Sequence, residues 1–105
     1  MNNTRLQKLL TMNQENPLDT FVLYALGMEY KGLNQWELAE DFFTKCLQLD
    51  SNYVAAYYQL ALISVVLSNE PAAINWLNQG LILLQNSSDI KTKNEFQSFI
   101  DELSF

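Results

Sequence analysis

The residue pattern of positions 20–53 returns, shifted by 34 positions, over positions 54–87. Seven positions are identical in the two blocks: Tyr24/Tyr58, Leu26/Leu60, Leu33/Leu67, Ala39/Ala73, Leu47/Leu81, Leu49/Leu83 and Asn52/Asn86. A fixed period of this length is typical of proteins built from stacked pairs of helices. The repeat therefore predicts an interaction module rather than an enzyme.

The spacing of apolar residues predicts six helices joined by short turns. Their expected limits are about 4–14, 20–32, 35–47, 53–67, 71–84 and 89–103. We expect helix caps at Asn3 or Thr4, at Asp19, at Asn34 and within residues 86–88, since these side chains accept hydrogen bonds from free backbone N–H groups. The helix over 53–67 contains no charged residue, so most of its circumference must be covered.

Charge and hydropathy exclude several classes of partner. Twelve acidic and six basic residues give a net charge of -6, and this charge repels nucleic acid and anionic membranes. Residues 1–10 lack the apolar core of a signal peptide, and the uncharged segment 53–69 is too short and too polar to span a membrane. We therefore expect an acidic cytoplasmic protein with a protein or peptide partner, and no small-molecule substrate.

The residue types needed for catalysis or metal binding are mostly missing. The chain has no histidine, a single cysteine and only three glycines, which excludes Ser/His triads, the usual zinc sites and phosphate-binding loops. Glu37, Glu40 and Asp41 lie on neighbouring turns, and a solvated outer face is the favoured interpretation of them. We expect no catalytic residue, no cofactor and no metal, and a buried, unreactive thiol at Cys46.

Several positions of the two repeated blocks resemble the signature of the tetratricopeptide repeat family. In the first block they are Leu26-Gly27, Tyr30, Ala39 and Phe43, and the second block keeps Tyr57, Leu60 and Ala73. The resemblance implies an all-α fold, a right-handed superhelix of helical hairpins closed by a C-terminal capping helix. It implies one domain over 1–105, divided into a leading helix (1–19), repeat 1 (20–53), repeat 2 (54–87) and the cap (88–105).

In this family the first helices of successive repeats line a concave groove that binds a peptide or a partner helix. Carried over by position, the groove would contain Phe21, Tyr24, Met28, Lys31, Ala55, Tyr58, Gln59, Leu62 and Val65, with Ala25 and Val66 beside them. Members that clamp a C-terminal carboxylate carry lysine, arginine and asparagine along the groove. Here Tyr24, Met28 and Gln59 hold such places, which implies an apolar groove instead.

Two functions remain open. The first is a scaffold whose groove binds a partner, with Tyr24 and Tyr58 as the anchors, because tyrosine offers a large contact area at low entropic cost. The second is a self-associating structural protein whose apolar face forms a homodimer, for example by exchange of the last helix with its 96–103 stripe and Phe105. The leading helix or the last helix would otherwise cover the groove. Packing is the favoured role for Trp36 and Trp76.

Overall fold

The computed structural model describes residues 3–104. Over that range the chain forms six α-helices and no strand, which confirms the expected all-α fold. The helices are α1 (Thr4–Glu15), α2 (Thr20–Gly32), α3 (Trp36–Leu49), α4 (Val54–Val66), α5 (Glu70–Leu84) and α6 (Ile90–Leu103). The chain divides into two compact units, one ending at Ala56 and the other beginning at Tyr57. Phe105, assigned above to a possible exchange between copies, lies outside the described residues.

Most helices begin at a side-chain cap. The side chain of Asn3 accepts a hydrogen bond from the Leu6 N–H at 2.9 Å, and that of Asp19 accepts from the Phe21 N–H at 3.0 Å. Both caps agree with the sequence. For α6 the cap is Asp89 rather than a residue of 86–88, because its carboxylate accepts from both the backbone N–H and the hydroxyl of Thr92. These hydrogen bonds lower the pKa of Asp89.

The prediction of an N-cap at Asn34 was wrong, because Asn34 ends α2 instead of starting α3. Its φ of 59° is left-handed, its N–H donates to the Lys31 carbonyl at 3.0 Å, and the next N–H, of Gln35, donates to the Tyr30 carbonyl at 3.0 Å. This pair of hydrogen bonds is a Schellman motif, which satisfies carbonyls that a helix leaves open at its C-terminus. The following helix α3 begins at Trp36, and its N-cap residue, Gln35, makes no side-chain capping hydrogen bond.

The same turn recurs one period later. Ser68 has φ 60°, its N–H donates to the Val65 carbonyl at 3.0 Å, and the Asn69 N–H donates to the Ser64 carbonyl at 2.7 Å. Asn69 then caps α5 by accepting from the Ala72 N–H at 3.1 Å. Both helical hairpins therefore close through one backbone geometry, although the residues at the left-handed position differ.

The first unit packs α1, α2 and α3 around one core. Leu9 of α1 meets Val22, Ala25 and Leu26 of α2 in a buried cluster. On α3, Phe43 and Cys46 are completely buried. An added Cβ at Gly27 would lie only 2.6 Å from Phe43 Cε1, so the missing side chain leaves room for the Phe43 ring.

The second unit repeats this plan with α4, α5 and α6. Its fully buried side chains are Leu60, Ala61, Ile63, Ala73 and Leu77. Phe96 of α6 is 2% exposed and packs where an added Cβ at Gly80 of α5 would collide with its ring. Trp76 packs against Tyr57 with ring centroids 6.1 Å apart, so this tryptophan has the expected packing role.

Candidate partner-binding surfaces

One side of α2 carries four of the predicted groove residues, three or four positions apart. Phe21 is 64% exposed and Met28 is 38% exposed, while Tyr24 and Lys31 are half-buried between and after them. Burial lowers the pKa of Lys31. Ala25, placed beside this set from the sequence, belongs to the core instead, because it turns toward Leu9 and Val22.

Tyr24 lies at the centre of the α2 face and is supported from both sides. Its ring meets Phe43 of α3 edge-on at 5.3 Å between centroids, and it lies 5.1 Å from the ring of Tyr53. Such pairs stabilise an aromatic side chain beyond its area of contact. The Tyr24 ring is therefore held in one position while part of it stays accessible.

On α4 the predicted residues differ in exposure. Ala55 is exposed, and Tyr58, Gln59, Leu62 and Val65 are half-buried. Among them, Tyr58 and Leu62 share a groove with α6 inside the second unit. We call this cleft the α4–α6 groove; it is lined by Tyr58, Leu62, Lys91, Asn94, Glu95, Ser98, Phe99 and Glu102 and has a volume of about 500 Å³.

Tyr58 of α4 packs against two aromatic rings of α6. Its ring centroid lies 5.3 Å from that of Phe96 and 5.4 Å from that of Phe99. Burial raises the pKa of Tyr58, and the carboxylates of Glu95 and Glu102 raise it further by disfavouring a second negative charge nearby. Helix α6 therefore contacts Tyr58, one of the two residues expected to anchor a partner. Such a contact is what the alternative of a groove covered by the last helix needs.

The α6 side of the groove was not found from the sequence. The residue pattern of α6 places Phe99 in its apolar stripe and Glu95 and Glu102 on its polar side. Both carboxylates are exposed, but they also border the cleft beside Tyr58. Their spacing from Phe99, four residues before and three after, was the signal that could have placed them next to it.

The described residues also bear on other kinds of site. Within 3–104, no three His, Cys, Asp or Glu side chains come together as a metal site would need. Burial raises the pKa of the Cys46 thiol to about 11, with a further contribution from Asp50, so this thiol is protonated at neutral pH. None of the helices described between residues 3 and 104 has the length and apolar content of a membrane span.

Comparison with known families and sequences gives one match. Residues 20–53 match the tetratricopeptide repeat family, and these are the limits of the first block found from the internal period. A comparison with curated proteins found no match.

Several solved structures share the fold. The TPR2B domain of yeast Sti1, solved in complex with pHsp70, has a TM-score of 0.85 at 16% identity, covering 94% of this chain and 79% of its own. A protein from Bordetella parapertussis gives 0.83 at 21% identity, covering 99% and 90%. A tetratricopeptide repeat domain protein from Salinibacter ruber gives 0.75 at 26% identity, covering 82% and 96%. The expected fold class, an all-α helical repeat, is confirmed by these likenesses.

Proposed function

We propose that this chain, whose residues 20–53 match the tetratricopeptide repeat family, is a scaffold without catalytic activity that binds a peptide or helix of a partner protein. The contacts are made by the exposed faces of α2 and α4, whose residues are Phe21, Tyr24, Met28 and Lys31, and Ala55, Tyr58, Gln59, Leu62 and Val65. The scaffold works in the cytoplasm. Its net charge of -6 favours a protein partner over nucleic acid or an anionic membrane.

The observation that carries the proposal is the α2 face. Phe21 and Met28 expose apolar side chains on both sides of Tyr24, whose ring Phe43 and Tyr53 hold in place. Large apolar side chains that a rigid element keeps exposed are typical of interaction sites. A pre-ordered aromatic ring also loses little entropy when a partner packs on it.

A related fold gives a precedent for partner binding, though with different chemistry. The Sti1 domain was solved in complex with pHsp70. In this chain, Tyr24, Met28 and Gln59 occupy places where carboxylate-clamping members of the family carry basic or amide side chains. The contacts proposed here are therefore mainly apolar, and the partner is not recognised by a terminal carboxylate.

Self-association is the second candidate. It is favoured by apolar side chains that are exposed away from the two proposed faces, since Ile82 is 64% exposed and Ile90 is 58% exposed. A second copy of the chain that covered such side chains would bury apolar area. In this case the protein would be a dimer in solution and its partner would be itself.

Site-specific photo-cross-linking separates these functions. A photoreactive phenylalanine analogue replaces Met28 or Leu62 on the proposed faces, or Leu38 on α3 as the control, which is 41% exposed against 38% for Met28. In an extract of the source organism, Met28 and Leu62 should capture the same protein and Leu38 should not. Capture of a second copy of this chain, whether from Met28 or Leu62 or from the same analogue placed at Ile82, would establish the homodimer instead. Equal capture from all three positions would contradict both functions.

A further inference from the structure

The α4–α6 groove carries charges that apolar binding does not use. Glu95 and Glu102 border it and are exposed, and within residues 3–104 neither forms an ion pair with a cation. Both lie close enough to Tyr58 to raise the pKa of its hydroxyl. The two carboxylates therefore border the apolar floor of this cleft, which is formed by Tyr58, Leu62 and Phe99.

The second unit contains few basic residues that could neutralise these carboxylates. Lysines 91 and 93 are the only basic residues in the sequence after Ala56. Lys93 is directed to the other side of α6, where its Nζ donates to the Gln85 carbonyl at 3.2 Å. Lys91 lines the groove one turn before Glu95, so the border holds two negative charges and one positive charge.

The direction of α6 adds to the negative electrostatic potential of the groove. Glu102 lies in the last turn of α6, a turn that contains no basic residue. The open carbonyl groups at a helix C-terminus carry partial negative charge and favour a cation nearby. The Lys91 end of the groove is the less negative end, and the Glu102 end is the more negative.

From this arrangement we infer that the α4–α6 groove binds a basic peptide segment, in which an apolar side chain rests on Tyr58, Leu62 and Phe99 while lysine or arginine side chains flank it at Glu95 and Glu102. The inference rests on the proposed function and specifies the chemistry of the partner. Arginine suits this groove especially well, because its guanidinium pairs with a carboxylate and stacks on an aromatic ring at the same time.

The carboxylates contribute more to the specificity of binding than to its affinity. Exposed ion pairs are individually weak, so removing both charges should weaken binding by about three- to tenfold. The apolar floor supplies most of the affinity, and the charges reject acidic segments and speed the approach of basic ones. Binding should also weaken as the salt concentration rises.

A selection from displayed random short peptides tests the inference, using the whole chain as bait. The test variant is Glu95→Gln/Glu102→Gln, and the control is Glu37→Gln/Glu40→Gln on α3, which changes the net charge of -6 by the same amount. Wild type and control should enrich sequences with an apolar residue between lysines or arginines. By fluorescence anisotropy, the enriched peptide should bind the test variant about three- to tenfold more weakly than the control.

Each other result overturns the inference in a distinguishable way. Enrichment of apolar peptides without a basic bias would refute the charge selection and leave the proposed scaffold function standing. An equal loss in both variants would show that net charge, and not this groove, attracts the peptide. If no peptide is enriched, the groove is not a peptide site, and the cross-linking at Met28 still decides the scaffold function by itself.

Discussion

Gly27 and Phe43 hold the positions that Ala61 and Leu77 hold one period later. In the first unit the ring of Phe43 fills the space over Gly27, where even a Cβ would come within 2.6 Å of it. In the second unit, Ala61 and Leu77 are both fully buried, with a methyl group added on one helix and a smaller side chain on the other. The two repeats thus reach close packing by different divisions of the same volume.

The first prediction follows from this exchange of volume. Gly27→Ala should lower the free energy of unfolding by about 1–3 kcal/mol, because overpacking outweighs the gain in helix propensity. The double variant Gly27→Ala/Phe43→Leu, which installs the pair of the second repeat, should recover part of that loss. Urea denaturation followed by circular dichroism measures both changes.

Gly32 serves as the control for this prediction. It lies at the end of α2, and a Cβ added there meets no atom within 4 Å. Gly32→Ala should therefore raise stability by about 0.5–1 kcal/mol through helix propensity alone. Equal effects of alanine at Gly27 and Gly32 would contradict the packing argument.

At the scale of the element, the helices were predictable and one of their turns was not. The apolar period and the Asp19 cap gave α2 correctly, because both signals are local. The prediction of an N-cap at Asn34 was wrong because asparagine suits both the start of a helix and the left-handed position after one. Only the hydrogen bonds accepted by the Lys31 and Tyr30 carbonyls decide between these two roles.

The candidate binding surfaces also differ in how far their residues could be identified from the sequence. Phe21, Tyr24 and Met28 were carried over from the family resemblance, and their spacing of three and four positions places them on one side of α2. Their part in binding stays a prediction. Glu95 and Glu102 were missed as part of a binding surface, since their role depends on how α6 packs against α4 and no internal repeat covers α6. A helix's own pattern shows which side is polar, but not which other helix that side borders.

The left-handed turns allow a second prediction. Ser68 has φ 60°, a conformation that costs an L-residue roughly 1–2 kcal/mol and that glycine adopts freely. Ser68→Gly should therefore stabilise the protein by about 0.5–1 kcal/mol, raising the melting temperature by roughly 2–8 °C. Asn34→Gly should gain less, because asparagine tolerates this conformation better than serine does.

The control for this prediction is Ser68→Ala, which removes the hydroxyl but keeps the Cβ that causes the strain. Alanine should give no stabilisation, and differential scanning calorimetry can compare the three variants directly. A gain with alanine as large as with glycine would mean that the hydroxyl, and not the backbone, limits stability at this turn.

At the scale of the whole molecule, the single thiol reports on opening of the first unit. Cys46 is completely buried, and its pKa of about 11 keeps it protonated at neutral pH. In native buffer it should react with a disulfide reagent at least about a hundredfold more slowly than in urea, since reaction requires the unit to open. The absorbance of the released thiolate follows the reaction.

An exposed thiol on the same helix provides the comparison. Gln48 is exposed on α3, so the variant Gln48→Cys should show one fast and one slow reacting thiol. Two fast thiols in native buffer would show that the first unit opens easily and that Cys46 is not protected. The concentration of urea at which the slow phase disappears should match the unfolding transition seen by circular dichroism.

The positions of the two tryptophans have a spectroscopic consequence. Trp36 begins α3 in the first unit, and Trp76 packs on Tyr57 in the second. Each unit therefore contains its own intrinsic fluorophore, at a site where the indole is half-buried and will change its emission when released to water. Replacing either indole with phenylalanine leaves a protein whose tryptophan fluorescence, excited selectively over that of the five tyrosines, reports on one unit alone. Binding or unfolding can then be assigned to one unit without any attached dye.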